Sequence, residues 1–242
     1  MQIRWMTIFL DFPIHQFGPG VEFWRRVTGS RLSAPRGGDG EFVTLLPSTG
    51  DAYLRAQALG SGPARLHLDL HVDPERRADA VAQAVALGAS PVLRGGEHDV
   101  LTSPGGYTFC FVPWEGERAV PSPEDNTRLD QLCLDIPPAL WDSESRFWSG
   151  LTGWELHPLG DSAFIRLRQP AGLPVKLLLQ RLDDAGAAGG AVTSHLDLAA
   201  PGRATLAPAH AAAGAVVGPA NEEWTVMTDP LGRPYCLTGR TP

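Results

Sequence analysis

The apolar positions change period along the chain, and the changes mark its elements. Residues 3–11 are apolar, β-branched and aromatic, which predicts a strand. Val21, Phe23, Trp24 and Val27 then recur at helical spacing, with Gly29 as the C-terminal stop. Two short strand-like runs follow at 41–47 and 51–57. Residues 65–72 alternate strictly: His67, Asp69 and His71 share one face, and Leu66, Leu68, Leu70 and Val72 the other. Pro74-Glu75 opens a second helix with apolar Ala78, Val81, Val85 and Ala86, stopped by Gly88. Strands near 90–93, 98–102 and 107–112 complete the series.

The series occurs twice. Residues 4–13 (RWMTIFLDFP) match residues 128–137 (RLDQLCLDIP) at an offset of 124, and Phe23-Trp24 and Thr28-Gly29 fall on Phe147-Trp148 and Thr152-Gly153. His67-Leu68-Asp69-Leu70 matches His195-Leu196-Asp197-Leu198 at an offset of 128. Gly88-Ala89 matches Gly214-Ala215, and Pro104, Gly106, Phe109 and Cys110 match Pro230, Gly232, Tyr235 and Cys236, both at 126. Five blocks in one order at a nearly constant offset identify an internal repeat. Residues 1–113 and 127–242 are the two copies, and 114–126, rich in Pro and charge, is the linker. Each copy divides again into two strand–helix–strands modules. The expected class is α+β, with helices on the outer face of each antiparallel-rich sheet and the bare face curved around a cleft. Pro208 falls inside the last predicted helix, which is therefore expected to start late or to kink.

Composition narrows the partners. Twenty basic against 27 acidic residues give a net charge of −7, with no Lys/Arg run. Nucleic acid and anionic membrane surfaces are poor partners for such a chain. No apolar run reaches the ~18 residues of a membrane span, and the N-terminus lacks the order of a signal peptide. Three widely spaced cysteines, Cys110, Cys133 and Cys236, make no disulfide framework and suit a reducing cytoplasm. No phosphate-loop, dinucleotide or nucleophile-elbow motif is present.

The paired modules and the phrases LDIP…FWSGLTGWEL, HLDL and DPLGRPYCL resemble the vicinal oxygen chelate superfamily, and its glyoxalase-like subgroup in particular. That group includes glyoxalase I, bleomycin-resistance proteins and extradiol dioxygenases. The resemblance covers nearly the whole chain as two tandem domains. It implies a divalent metal in the cleft, held by His and Glu from the first strand of each module and from a last strand. Carried onto the second copy, those positions fall on or near Asp130, on His195 and on Cys236; in the first copy they fall on Met6, His67 and Cys110.

Alternation places His67, Asp69, His195 and Asp197 on the cleft face, and Phe109, Phe111, Tyr235 and Leu237 toward the helices, which leaves Cys110 and Cys236 in the cleft. The cleft set is then Met6, His67, Asp69, Cys110, Asp130, His195, Asp197 and Cys236. The usual metal set is broken, since Met6 is a poor ligand for a hard ion. The cysteines also suit ordinary core positions, the repeated His-x-Asp suits an internally satisfied pair, and Trp24 and Trp148 read as core aromatics.

Two function classes follow. The first is a module that binds a small hydrophobic or aromatic molecule without a metal cofactor. The second is a lyase, isomerase or dioxygenase-type enzyme in which His195 or Asp130 is base or ligand, and Asp130, His195 and Cys236 hold one divalent ion such as zinc. A filled cleft would leave a structural or regulatory subunit instead. Loops 31–40, 157–161 and 183–190 set the size of the pocket, and either a monomer or a homodimer is compatible with a tandem pair.

Overall fold

The computed structural model describes residues 1–160, 163–183 and 190–242; residues 161–162 and 184–189, which belong to two of the loops expected to set the pocket size, lie outside the described residues. The first half runs β1 (Trp5–Pro13), α1 (Ile14–Val27), β2 (Arg31–Leu32), β3 (Phe42–Leu46), β4 (Leu54–Leu59), β5 (Arg65–Val72), α2 (Arg77–Ala86), β6 (Ser90–Leu93), β7 (Asp99–Thr102) and β8 (Thr108–Pro113). The second half repeats the order as β9 (Arg128–Ile136), α3 (Trp141–Thr152), β10 (Glu155–Pro158), β11 (Phe164–Arg168), β12 (Lys176–Arg181), β13 (Thr193–Ala199), α4 (Arg203–Ala212), β14 (Val216–Ala220), β15 (Trp224–Thr228) and β16 (Pro234–Thr238). The strands form two eight-stranded sheets of identical topology, β2-β3-β4-β1-β5-β8-β7-β6 and β10-β11-β12-β9-β13-β16-β15-β14. The class is α+β, as the pattern predicts. Within each sheet the hairpins are antiparallel, and strands on either side of a helix run parallel where β5 meets β8 and β13 meets β16.

Two expectations need correction. The first helix is two turns longer than its apolar pattern, because the Gly18-Pro19-Gly20 punctuation lies inside α1 rather than before it. Gly20 is required there, since a Cβ at that point would collide with the Phe12 ring. Pro208 does not delay α4, which spans Arg203–Ala212 just as α2 spans Arg77–Ala86. The ring removes only the amide hydrogen that would meet the Ala204 carbonyl, and Pro208 is exposed, so no core contact is displaced.

The chain forms two compact units, one of Met1–Ile8, His67–Arg118 and Cys133–Ser194, the other of Phe9–Leu66, Ala119–Leu132 and His195–Pro242. Each therefore combines a module from each repeat. In the first, Phe109 of β8 packs against Phe147 and Trp148 of α3, with ring centroids 5.8 and 5.4 Å away. In the second, Tyr235 of β16 meets Phe23 and Trp24 of α1 at 6.0 and 5.3 Å. Trp24 and Trp148 are both fully buried core aromatics.

A buried carboxylate locks each of these tryptophans. In the first unit Glu144 Oε2 accepts from Trp148 Nε1 at 2.9 Å, and Oε1 accepts from the Gly105 amide at 2.5 Å. Burial raises the Glu144 pKa against the hydrogen bonds from Gly105, Ser103 and Trp148, which lower it. A Cβ on Gly105 would strike Val192 and Glu144, so only glycine lets the turn come this close. In the second unit Asp229 accepts from Trp24 Nε1 at 3.2 Å, from the Leu231 and Arg233 amides at 2.9 Å, and from Arg233 Nε at 2.9 Å. The Arg233 guanidinium sits 4.2 Å over the Phe12 ring. The acid thus comes from the helix in one unit and from the turn in the other. The repeat counterpart of Glu144 is Gly20, and that of Asp229 is Ser103.

Also in the second unit, Tyr235 Oη and His210 Nδ1 of α4 are 2.9 Å apart. Burial lowers the His210 pKa to about 4. No helix among the described residues is long and apolar enough to cross a membrane.

Two outcomes are expected. Asp229→Ala strands the buried Arg233 guanidinium and should cost about 3–5 kcal/mol in urea denaturation, whereas Asp229→Asn, which keeps an acceptor, should cost less. Because His210 takes up protons more readily unfolded than folded, the stability it confers is complete above pH 6.5 and is lost as pH falls through about 4. The unfolding free energy from urea denaturation should fall less across that window in His210→Phe, by about 3 kcal/mol at the acid end.

Candidate functional site

Strand register assembles the same three residue types in each unit. In the first, β5 and β8 run parallel with Asp69 opposite Cys110. Alternation puts His67 on the same face as Asp69, and Phe109 and Phe111 on the other. One ligating atom from each of His67, Asp69 and Cys110 lies within 4.8 Å of the other two, and all three residues are buried. His67 Nε2 is 3.6 Å from Asp69 Oδ1. In the second unit β13 and β16 repeat the register, with Asp197 opposite Cys236. His195, Asp197 and Cys236 form the same cluster, with His195 Nε2 3.4 Å from Asp197 Oδ1.

The first strand of each repeat contributes a different residue from the one expected. Thr7 Oγ1 is 2.9 Å from His71 Nε2, so Thr7 shares the His face of the sheet. Met6, one residue earlier, belongs to the opposite face of β1 and is fully buried. In the second copy the counterpart of Thr7 is Gln131, whose amide donates to Asp197 Oδ2 at 2.5 Å. Asp130, one residue earlier, is held instead by Arg240, which donates to both carboxylate oxygens at 2.8 and 2.9 Å. The expected trio of Asp130, His195 and Cys236 is thus not what the structure joins: Asp197 takes the place of Asp130. The error is one residue of register, which in a strand exchanges the faces.

Sequence reasoning also missed Arg240 and Glu117. Glu117 Oε1 lies 3.4 Å from His71 Nδ1, with side-chain exposure of 14%. Burial pushes the Glu117 carboxyl up, but its hydrogen bonds with His71 and with the Glu117 and Glu115 amides outweigh this and hold it at about 2. His71 thus meets Thr7 in a hydrogen bond at Nε2 and has the Glu117 carboxylate 3.4 Å from Nδ1. Its counterpart in the second copy is Ala199, which leaves Gln131 to turn to Asp197. Neither Arg240 nor Glu117 lies in a repeated phrase, so no internal match marked them.

Chemically, each cluster offers an imidazole, a carboxylate and a thiol. Such a set fits a soft, tetrahedral ion such as zinc, with one position open. It does not fit magnesium or manganese, which favour oxygen donors. Gln131 Oε1 is buried and has no protein hydrogen-bond partner. It is an acceptor that a donor group on a ligand would satisfy.

The comparisons agree with this architecture. A family model described as "Glyoxalase-like domain" matches residues 7–112 and again 131–238. Among solved structures, the 2,2',3-trihydroxybiphenyl 1,2-dioxygenase of Sphingomonas wittichii strain RW1 is 15% identical with a TM-score of 0.62, and the match covers 96% of this chain and 88% of that one. The Mn(II)-bound glyoxalase of Novosphingobium aromaticivorans is 13% identical with a TM-score of 0.67, covering 96% and 80%. The 2,3-dioxygenase LapB of Pseudomonas sp. KL28 is 14% identical with a TM-score of 0.66, covering 98% and 92%. At these identities the likeness is one of fold. No match was found among curated proteins.

If Asp130 serves only to pair with Arg240, removing one partner should be worse than removing both. Arg240→Met should destabilise by about 3 kcal/mol, and the double variant Arg240→Met/Asp130→Leu should recover most of that in chemical denaturation. No recovery would mean that Asp130 has a further role.

Proposed function

Because this chain belongs to the glyoxalase-like domain family, we propose that it binds a small apolar or aromatic molecule bearing a hydrogen-bond donor, on the sheet face that carries the His–Asp–Cys clusters, without a typical divalent-metal site. The observation that carries this reading is the Gln131–Asp197 hydrogen bond. It uses one oxygen of the only carboxylate in the second cluster, and the carboxylate orients the amide so that Oε1 points away, buried and unsatisfied. A ligand hydroxyl or N–H meets that oxygen, and the His195 imidazole lies beside the same carboxylate. The names of the similar structures, a trihydroxybiphenyl dioxygenase among them, favour an aromatic ligand.

A second reading rests on the close grouping of His195, Asp197 and Cys236. It is a metal-dependent lyase, isomerase or dioxygenase-type enzyme. Those three residues would hold zinc, which supplies Lewis-acid polarisation of a bound carbonyl or water. The His195 imidazole would then have to release Asp197 to ligate the ion.

Protein purified without chelator decides between the two. On the first reading, metal analysis finds no stoichiometric ion, melting is unchanged by zinc, manganese or EDTA, and catechol with EDTA present shifts the His195 or His67 ring signals in nitrogen–proton spectra. A zinc-dependent rise in melting temperature that disappears in Cys236→Ser would replace the first reading with the second.

A further inference from the structure

The second unit has a cavity of about 260 Å³ that belongs to neither His–Asp–Cys cluster. Leu198 of β13 lines it, whereas His195 and Asp197 project from the opposite face of that strand. The cavity therefore lies on the helix side of the sheet. Its walls are Leu45 and Leu54 from β3 and β4, Leu206, Ala209 and Ala213 along α4, and the end of α1 from Arg26 to Ser30. The stretch from Pro121 to Leu129 closes it.

That closing stretch is held in an unusual conformation. Glu124 and Thr127 exchange two backbone hydrogen bonds, at 2.9 and 2.7 Å, around Asp125 and Asn126. Those are the only two non-glycine residues with positive φ among the described residues, at 45° and 58°. Two successive positive φ values make the tight mirror-image turn that Asp and Asn tolerate best. The turn presents Glu124 and Arg128 to the cavity.

Three lining side chains each keep a buried polar atom without a partner: His210 Nε2, Arg128 Nε and Glu124 Oε1. His210 is only 3% exposed, and its other ring nitrogen is engaged by Tyr235. Burial keeps the imidazole neutral at pH 7, so when the Tyr235 hydroxyl donates to Nδ1 the free nitrogen carries a hydrogen. Unsatisfied buried donors and acceptors are rare, and three on one apolar-walled cavity indicate a missing partner. The set is mixed in charge, with Arg26 and Arg128 against Glu124 and Asp125, which favours a neutral molecule.

We propose that this cavity is a second small-molecule site, distinct from the His–Asp–Cys clusters, and that it takes a neutral single-ring aromatic compound whose hydroxyl or carbonyl group pairs with His210 and the Glu124–Arg128 edge. The ring lies against the leucine wall, and the polar group points toward β16. A cavity of about 260 Å³ has ample room for one substituted ring, since an apolar cavity of about 150 Å³ already holds benzene. The inference stands apart from the function proposed for the clusters, since it uses none of their residues.

The test uses the full chain and 4-methylphenol. Nitrogen–proton correlation spectra of the imidazole rings, with His210 assigned through His210→Gln, follow a titration with that compound. The expected result is a saturable shift of the His210 ring signals with a dissociation constant on the order of 1 mM. Ala209→Phe, at an exposed position of α4 on the cavity wall, should weaken it by about tenfold or more; Leu206→Trp serves as a second blocking variant should the first unfold. The His67 and His195 signals report binding at the clusters separately, and the His210 shift should saturate whether or not they move. The proposal is overturned if the His210 signals do not move. It is equally overturned if they move as much in a folded blocking variant, or if only the cluster histidines respond.

Discussion

The structure depends on a buried carboxylate placed between a tryptophan indole and a tight turn. In one unit the acid is Glu144, in the other Asp229. The contact joins a helix of one repeat to the turn before the last strand of the other, and that strand carries the cysteine of the His–Asp–Cys cluster. A carboxyl group at zero or two per cent exposure is tolerated only because several donors converge on it. Glycine at 105 lets the turn approach, and Arg233 supplies the compensating charge at Asp229. The geometry of the clusters is thus anchored from the opposite face of each sheet.

Much of this architecture was legible in the sequence because it is written twice. The repeated phrases gave the strand and helix order, and alternation along His67–Val72 and His195–Ala199 gave the correct face for the histidines, aspartates and cysteines. Tyr235 and Phe109 meet α1 and α3 as their apolar positions imply. Register in the first strands was not legible. β1 and β9 are buried on both faces, so their hydrophobic pattern does not distinguish one residue from the next. The positions that the resemblance implies, Met6 and on or near Asp130, therefore stand one residue short of Thr7 and Gln131 with nothing in the pattern to correct them. Arg240 and Glu117 were invisible for another reason: each finds its partner across a long stretch of chain, Arg240 from the C-terminal tail.

The two copies have drifted apart at the one place where their chemistry would be compared. Thr7 is committed to His71, itself beside Glu117, while Gln131 is committed to Asp197. In the first cluster the His67 imidazole lies 3.6 Å from Asp69 Oδ1; in the second the carboxylate is also bonded to an amide. Identical triplets of His, Asp and Cys thus sit in unlike surroundings, and affinity for the same ligand or ion should differ between them.

The exchange of Glu144 for Gly20, and of Asp229 for Ser103, carries a lesson about self-association. Were the first half to pair with a second copy of itself, Trp24 would meet Ser103 with Gly20 behind it, and the indole would lose its anionic acceptor. Were the second half to do so, Glu144 and Asp229 would compete for one indole, with two negative charges sealed in the same interior. Neither half is self-complementary at this contact: each repeat is a lock that only its sibling fits.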